Sequence, residues 1–140
     1  MPNPAEYLHL RPESPLPPVT AQAPYRAVAV IDAEVSWSWQ VELSNWLVRS
    51  GCLYMMAWGL NCSSWDDSVD VANIEQFEPA NIPEDKFVMT TWHADKPLSE
   101  AFWFSKNCAS HPVVKLDRIV VIHIAAEARE KELLTAYREA

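Results

Sequence analysis

Several side chains in this chain have the types and spacing for chemistry. The segment "WHAD" places His93 two residues before Asp95. A histidine beside a carboxylate is a candidate general base, because imidazole titrates near neutral pH. Asp32 and Glu34, in "VIDAE", are its candidate partners as acid or base. With His123 they could instead hold a divalent metal. A structural explanation is stronger. Asp95 precedes Pro97 and Leu98 as a helix cap would, and His93 can hydrogen-bond at a strand end. His123 alternates with Ile119 and Val121, so it should face packed structure. Cys62 is a candidate nucleophile near a helix start, where the dipole lowers a thiol pKa, with His93 as its base. The carboxylates that follow oppose this, because negative charge raises a thiol pKa.

Those carboxylates belong to "NCSSWDDSVD", residues 61–70. Ser63 or Ser64 caps a helix here, and Asp66 and Asp67 would then fall in a first turn that favours anions. The wider charge distribution goes further than capping. Between Arg49 and Lys86 there is no Lys or Arg, yet Asp66, Asp67, Asp70, Glu75, Glu78, Glu84 and Asp85 all lie there. A solvated face usually mixes signs, because like charges repel. A one-signed block suits a partner rich in Lys and Arg. The expected binding face comprises Trp65, Asp66, Asp67, Asp70, Glu75 and Glu78, with Trp65 or Trp37 as an aromatic anchor. A calcium loop needs alternating ligands and a glycine at its turn, and "DDSVDVANIEQF" has neither.

The elements that must position these groups follow from periodicity. "YRAVAVIDA", "CLYMMAWG", "KFVMTTWH" and "DRIVVIHIA" are short apolar runs and read as buried strands. "SWSWQVELSNWLVRSG" carries Trp39, Leu43, Trp46 and Leu47 on one helical face, and Gly51 suits a left-handed cap. Trp37, Val41 and Val48 form a second apolar stripe. Further helices are expected over 64–77, over "DKPLSEAFWFSKNCASH" with Leu98, Phe102 and Ala109 inward, and over "EAREKELLTAYREA" with Leu133, Leu134 and Tyr137 inward. Four strands alternating with four helices predict a single three-layer α/β domain over 25–140, with a mainly parallel sheet of order 2-1-3-4. This is flavodoxin-like but one strand short. Its switch point would lie between the first and third strands, where Asp32, Glu34, Trp37, Trp92, His93 and Asp95 would meet. Residues 1–24 hold seven of the eleven prolines and read as an extended arm, lying along the domain through Tyr7, Leu8 and Leu10 or left loose.

Composition narrows the function classes. The formal charge of −8 argues against nucleic acid and anionic membrane surfaces. Only Gly51 and Gly59 are present, so no glycine-rich loop cradles a dinucleotide or a phosphate. No cofactor is expected. The three cysteines, Cys52, Cys62 and Cys108, form no C-x-x-C pair. With no signal peptide or apolar span in view, a reducing, cytoplasmic setting is expected.

"GCLYMMAWGLNCSSWDDSVD" and "MTTWHADKPLSEAFWF" resemble segments of small uncharacterised bacterial proteins, a domain of unknown function, over about residues 26–125. The resemblance implies a bacterial source and no particular activity. Three functions compete. The leading one is an acidic interaction module, an inhibitor or immunity-type protein that masks a basic toxin or effector. The second is a small hydrolase or transferase without a cofactor, using Asp32, Glu34 and His93. The third is a subunit of a larger complex, clasped through the proline-rich arm.

Overall fold

A computed structural model describes residues 4–19, 23–77 and 81–140. Its strands are β1 (Glu6–Leu10), β2 (Tyr25–Ile31), β3 (Cys52–Gly59), β4 (Met89–Trp92) and β5 (Arg118–Ile124). Its helices are α1 (Trp37–Ser50), α2 (Cys62–Gln76), α3 (Leu98–Asn107) and α4 (Glu130–Glu139), with a 3₁₀ turn at Glu84–Lys86. The α/β class and the parallel sheet agree with the sequence pattern. The strand count and order do not. The sheet has five strands in the order β1-β5-β2-β3-β4, and every neighbouring pair is parallel.

Two physical causes account for the difference. The "EYLHL" stretch inside the expected arm pairs with β5 from Glu6↔Val120 to Leu10↔Ile124, which makes it an edge strand. The prolines after it then cross α1, where Trp39 Nε1 donates to Ser14 O at 2.8 Å and Trp46 Nε1 to Pro17 O at 2.7 Å. That irregular crossover does the work a helix does elsewhere in the fold. The second cause is close packing of α1 on α2. Ser44 and Ser68 are buried and meet at 2.8 Å, with Gln40 Nε2 bonded to Ser64 and Ser68 at 3.2 Å. Small side chains on facing helices let the two lie side by side, which places β2, β3 and β4 in sequence beneath them. The spacing Gln40–Ser44 and Ser64–Ser68 is the signal that could have given the strand order.

The core is built from β2, β3 and β5, whose runs are covered on both faces as a parallel sheet requires. Gly51 takes the left-handed cap at φ 102°. Gly59 has φ 104°, and a Cβ there would lie 2.2 Å from Ile31 O, so only glycine lets β3 end against β2. The second stripe of α1 is not fully covered: Trp37 is exposed, and Val41 and Val48 are half-buried.

Candidate functional site

With this strand order the chain reverses direction between β2 and β5, so the switch point lies there and not between β2 and β4. Asp32 borders the switch in either order. Its partner is His123, which is fully buried, and His93 follows β4, a strand two places away. A carboxylate only accepts hydrogen bonds, so His123 Nε2–H donates to Asp32 Oδ2 at 2.7 Å. That tautomer leaves Nδ1 as acceptor for the Tyr7 hydroxyl, also at 2.7 Å. The Tyr7 oxygen in turn accepts from the Arg129 backbone N–H at 2.9 Å. Arg129 Nη2 closes the ring on Asp32 Oδ2 at 2.6 Å, and its Nη1 holds Glu132 at 3.0 Å. The hydrogen bond to Asp32 raises the Arg129 pKa further and keeps it charged. Nearby, His9 Nε2 donates to Ala125 O at 2.7 Å.

This arrangement satisfies itself. Each nitrogen of His123 has a partner, and Tyr7 from β1 supplies one of them. Tyr7 and Arg129 are the members that sequence reasoning missed. The alternation in "EYLHL" is the signal for Tyr7.

His93 is held elsewhere. Its Nε2 pairs with Thr91 Oγ1 at 3.0 Å, and its ring packs edge-on to Phe104 at 4.9 Å. Burial lowers its pKa, with Glu100 opposing. Two strand spacings, roughly 10 Å, separate β4 from β2. Glu34 is exposed in the loop after β2. Asp32, Glu34 and His93 are therefore not brought together as an acid–base set. Asp95 is not the helix cap that was expected. It takes φ 59° in the preceding turn, and Pro97 holds the cap position of α3. Cys62 is buried in the first turn of α2.

The acidic segment folds differently from expectation in three ways. Helix α2 begins at Cys62, so Asp66 and Asp67 stand in its second turn, beyond the first-turn amides. Ser64 Oγ donates back to Asn61 O at 2.7 Å and does not cap. Trp65 is 1% exposed and is a core residue, not a surface anchor. Asp66 is also buried, and its Oδ1 has no hydrogen-bond partner among the described residues. Asp67 and Glu75 are exposed and Asp70 is half-buried; Glu78 lies outside the described residues.

Strand β4 lies beside this helix. Thr90 Oγ1 donates to Asp70 Oδ1 at 2.7 Å. Both carboxyls are pushed above the usual carboxylate range, first by burial and then by their acidic neighbours, with Thr90 opposing. Asn73, also buried, donates from Nδ2 to Lys86 O at 3.0 Å and accepts from the Val88 N–H at 2.9 Å. Val71, Ile74, Phe87 and Trp92 are exposed among these groups. A groove of about 350 Å³ runs between helix and strand, lined by Asp70, Ile74, Ile82, Phe87, Val88 and Thr90 among others.

Among the described residues, no set of three or more His, Cys, Asp or Glu is placed to hold a metal ion. No helix among them is long and apolar enough to cross a membrane. The fold and its two polar centres define a small parallel α/β domain with a hydrogen-bonded cluster at the switch point and an acidic sheet edge. The chain belongs to the family described as a domain of unknown function, DUF7684, whose model matches residues 5–140 and so includes β1. No curated protein and no solved structure matches it.

Proposed function

We propose that the domain is a protein-interaction module that binds a basic partner through α2 and β4, as an inhibitor masking a basic effector would. The observation that carries this is the interleaving of charge and apolar surface at that edge. Asp67, Asp70 and Glu75 alternate with Val71 and Ile74, beside Phe87 and Trp92. Apolar contact supplies affinity, and the excess of negative charge, with Lys86 as the basic exception beside Asn73, supplies steering toward a basic partner. The unpartnered Asp66 oxygen adds negative potential beneath the same surface. The anchor in this reading is Trp92 with Ile74, since Trp65 is buried.

The test is recovery of partners from the native cell with wild type and with an Asp67→Asn/Asp70→Asn/Glu75→Gln variant, at low and moderate salt. A basic protein held by wild type should bind the variant roughly 10- to 100-fold more weakly, with a shallower salt dependence. Equal affinity and equal salt dependence would remove the acidic-face reading. A hydrolase or transferase at Asp32 and His93 draws no support from a geometry in which each is bonded to other groups.

A further inference from the structure

The backbone of β4 is more informative than its side chains. The His93 N–H bonds Ala57 O on β3 at 2.9 Å. Along a parallel ladder the N–H and C=O of alternate residues point to opposite sides. Met89 and Thr91 therefore face β3, in register with Tyr54 and Met56. Thr90 and Trp92 direct theirs away from the sheet. At the start of this outer edge, Asn73 imitates a neighbouring peptide group by bonding both Lys86 O and the Val88 N–H. The imitation stops there. Among the described residues, the outward backbone groups of Thr90 and Trp92 have no partner.

Side-chain direction then fixes what a neighbour must carry. Thr90 points to α2, as its bond to Asp70 requires, and Trp92 follows by alternation. Contacts between α2 and the strand run antiparallel: Asn73 meets Val88, and Asp70 meets Thr90. By strand and helix rise, one further step brings Trp92 to about the level of Asp66–Asp67. In a sheet, paired residues share a face. Any chain paired with Thr90 and Trp92 must put alternate side chains on the face that carries half-buried Asp70 and exposed Asp67, with buried Asp66 beneath them. The side chains between them fall beside Met89 and Thr91 on the other face.

We infer that the open edge of β4 receives a short extended segment of the partner as a sixth strand, with Lys or Arg alternating with apolar residues. This rests on the acidic-face reading above. Main-chain bonds to Thr90 and Trp92 supply the register, and the carboxylates select the cations. A second copy of this chain is the wrong occupant, because each copy carries a formal charge of −8 and would bring like carboxylates together.

Synthetic peptides test this on the full chain, by calorimetry and by amide signals of Thr90 and Trp92. The probes are an acetylated octapeptide alternating Lys and Val, the same composition at helical spacing, and an alternating Glu and Val control. The alternating Lys–Val peptide should bind, protect the two amides, and exceed the helical arrangement at least tenfold. Backbone N-methylation of every second residue should abolish binding in one frame and spare it in the other. Trp92→Pro removes an outward donor without touching the β3 ladder, and should weaken binding well beyond Trp92→Val. Equal binding of the two Lys–Val arrangements would overturn strand addition and leave the acidic face standing. Equal weakening by Trp92→Pro and Trp92→Val would move the contact off this edge. No preference of either Lys–Val peptide over the Glu–Val control would remove both.

Discussion

The two edges of the sheet are built on opposite plans. At β1 the polar side chains are tied down: Glu6 to Arg118 at 2.6 Å, Tyr7 to His123 and to the Arg129 backbone, and His9 to Ala125 O. At β4 they are left short. Buried Asp66 has an oxygen without a partner among the described residues, Asp70 has Thr90, and Trp92 is 52% exposed. A titratable cluster at a switch point draws attention as a site, and here its groups are hydrogen-bonded to one another. The less regular cluster keeps exposed carboxylate and apolar groups beside a strand edge, and those are what a partner can engage.

Substitutions can break this contrast, and the largest effect belongs to Trp65. Trp65→Ala should cost about 3–5 kcal/mol in urea unfolding, because it empties a core position under α2. A surface anchor would lose binding with stability unchanged, so a small cost would restore the original anchor assignment. Next comes Asp32→Ala, which strips the carboxylate from buried His123 and from Arg129. It should cost about 1–3 kcal/mol and leave partner binding within twofold. Lost binding with full stability would make the switch point a functional site after all.

Asp66→Asn should do the reverse. A buried carboxyl whose pKa is raised on folding holds its proton more tightly in the folded state. Stability therefore falls as pH rises from the ordinary value of 3.8 through the raised one, and the penalty is fully present at pH 7. The variant should be more stable than wild type by about 1 kcal/mol or less at pH 7, with the gain fading in acid. A gain that persists below pH 3 would point to packing instead. The smallest effect is expected at Glu6. The hydrogen bond from Arg118 lowers its pKa, so its contribution is present above the ordinary value of 4.5 and is lost as pH falls through the lowered one. Glu6 is half-exposed and screened, so Glu6→Gln should cost only a few tenths of a kcal/mol, and less in high salt.

Much of the fold was legible in local pattern. The runs that became β2, β3 and β5, the inward Leu133 and Tyr137 of α4, and the Gly51 cap each follow from a few neighbouring residues, whereas the buried face of α3 is Ala101, Phe102 and Ser105, with Phe102 alone among the residues expected there. The acidity of the α2 segment was equally plain. Its geometry was not. The buried side of α2 takes in Asp66, Ser68 and Asn73 along with Trp65 and Val69, because α1, the sheet and the β4 edge surround the helix. A hydrophobic stripe read from sequence is narrower than that, so Asp66 was assigned to the surface.

The sequence by itself determined what each segment is: strand or helix, apolar or charged, capped or open. Those properties depend on backbone sterics and on side-chain period, which are local. Tertiary structure alone decided the strand order, the entry of "EYLHL" into the sheet, the closing of Tyr7, His123, Asp32 and Arg129 into one network, and the opening of β4 at the other edge. A residue's period says which way its side chain points. What it meets there depends on which element covers that face, and that is settled by packing between segments distant in the chain.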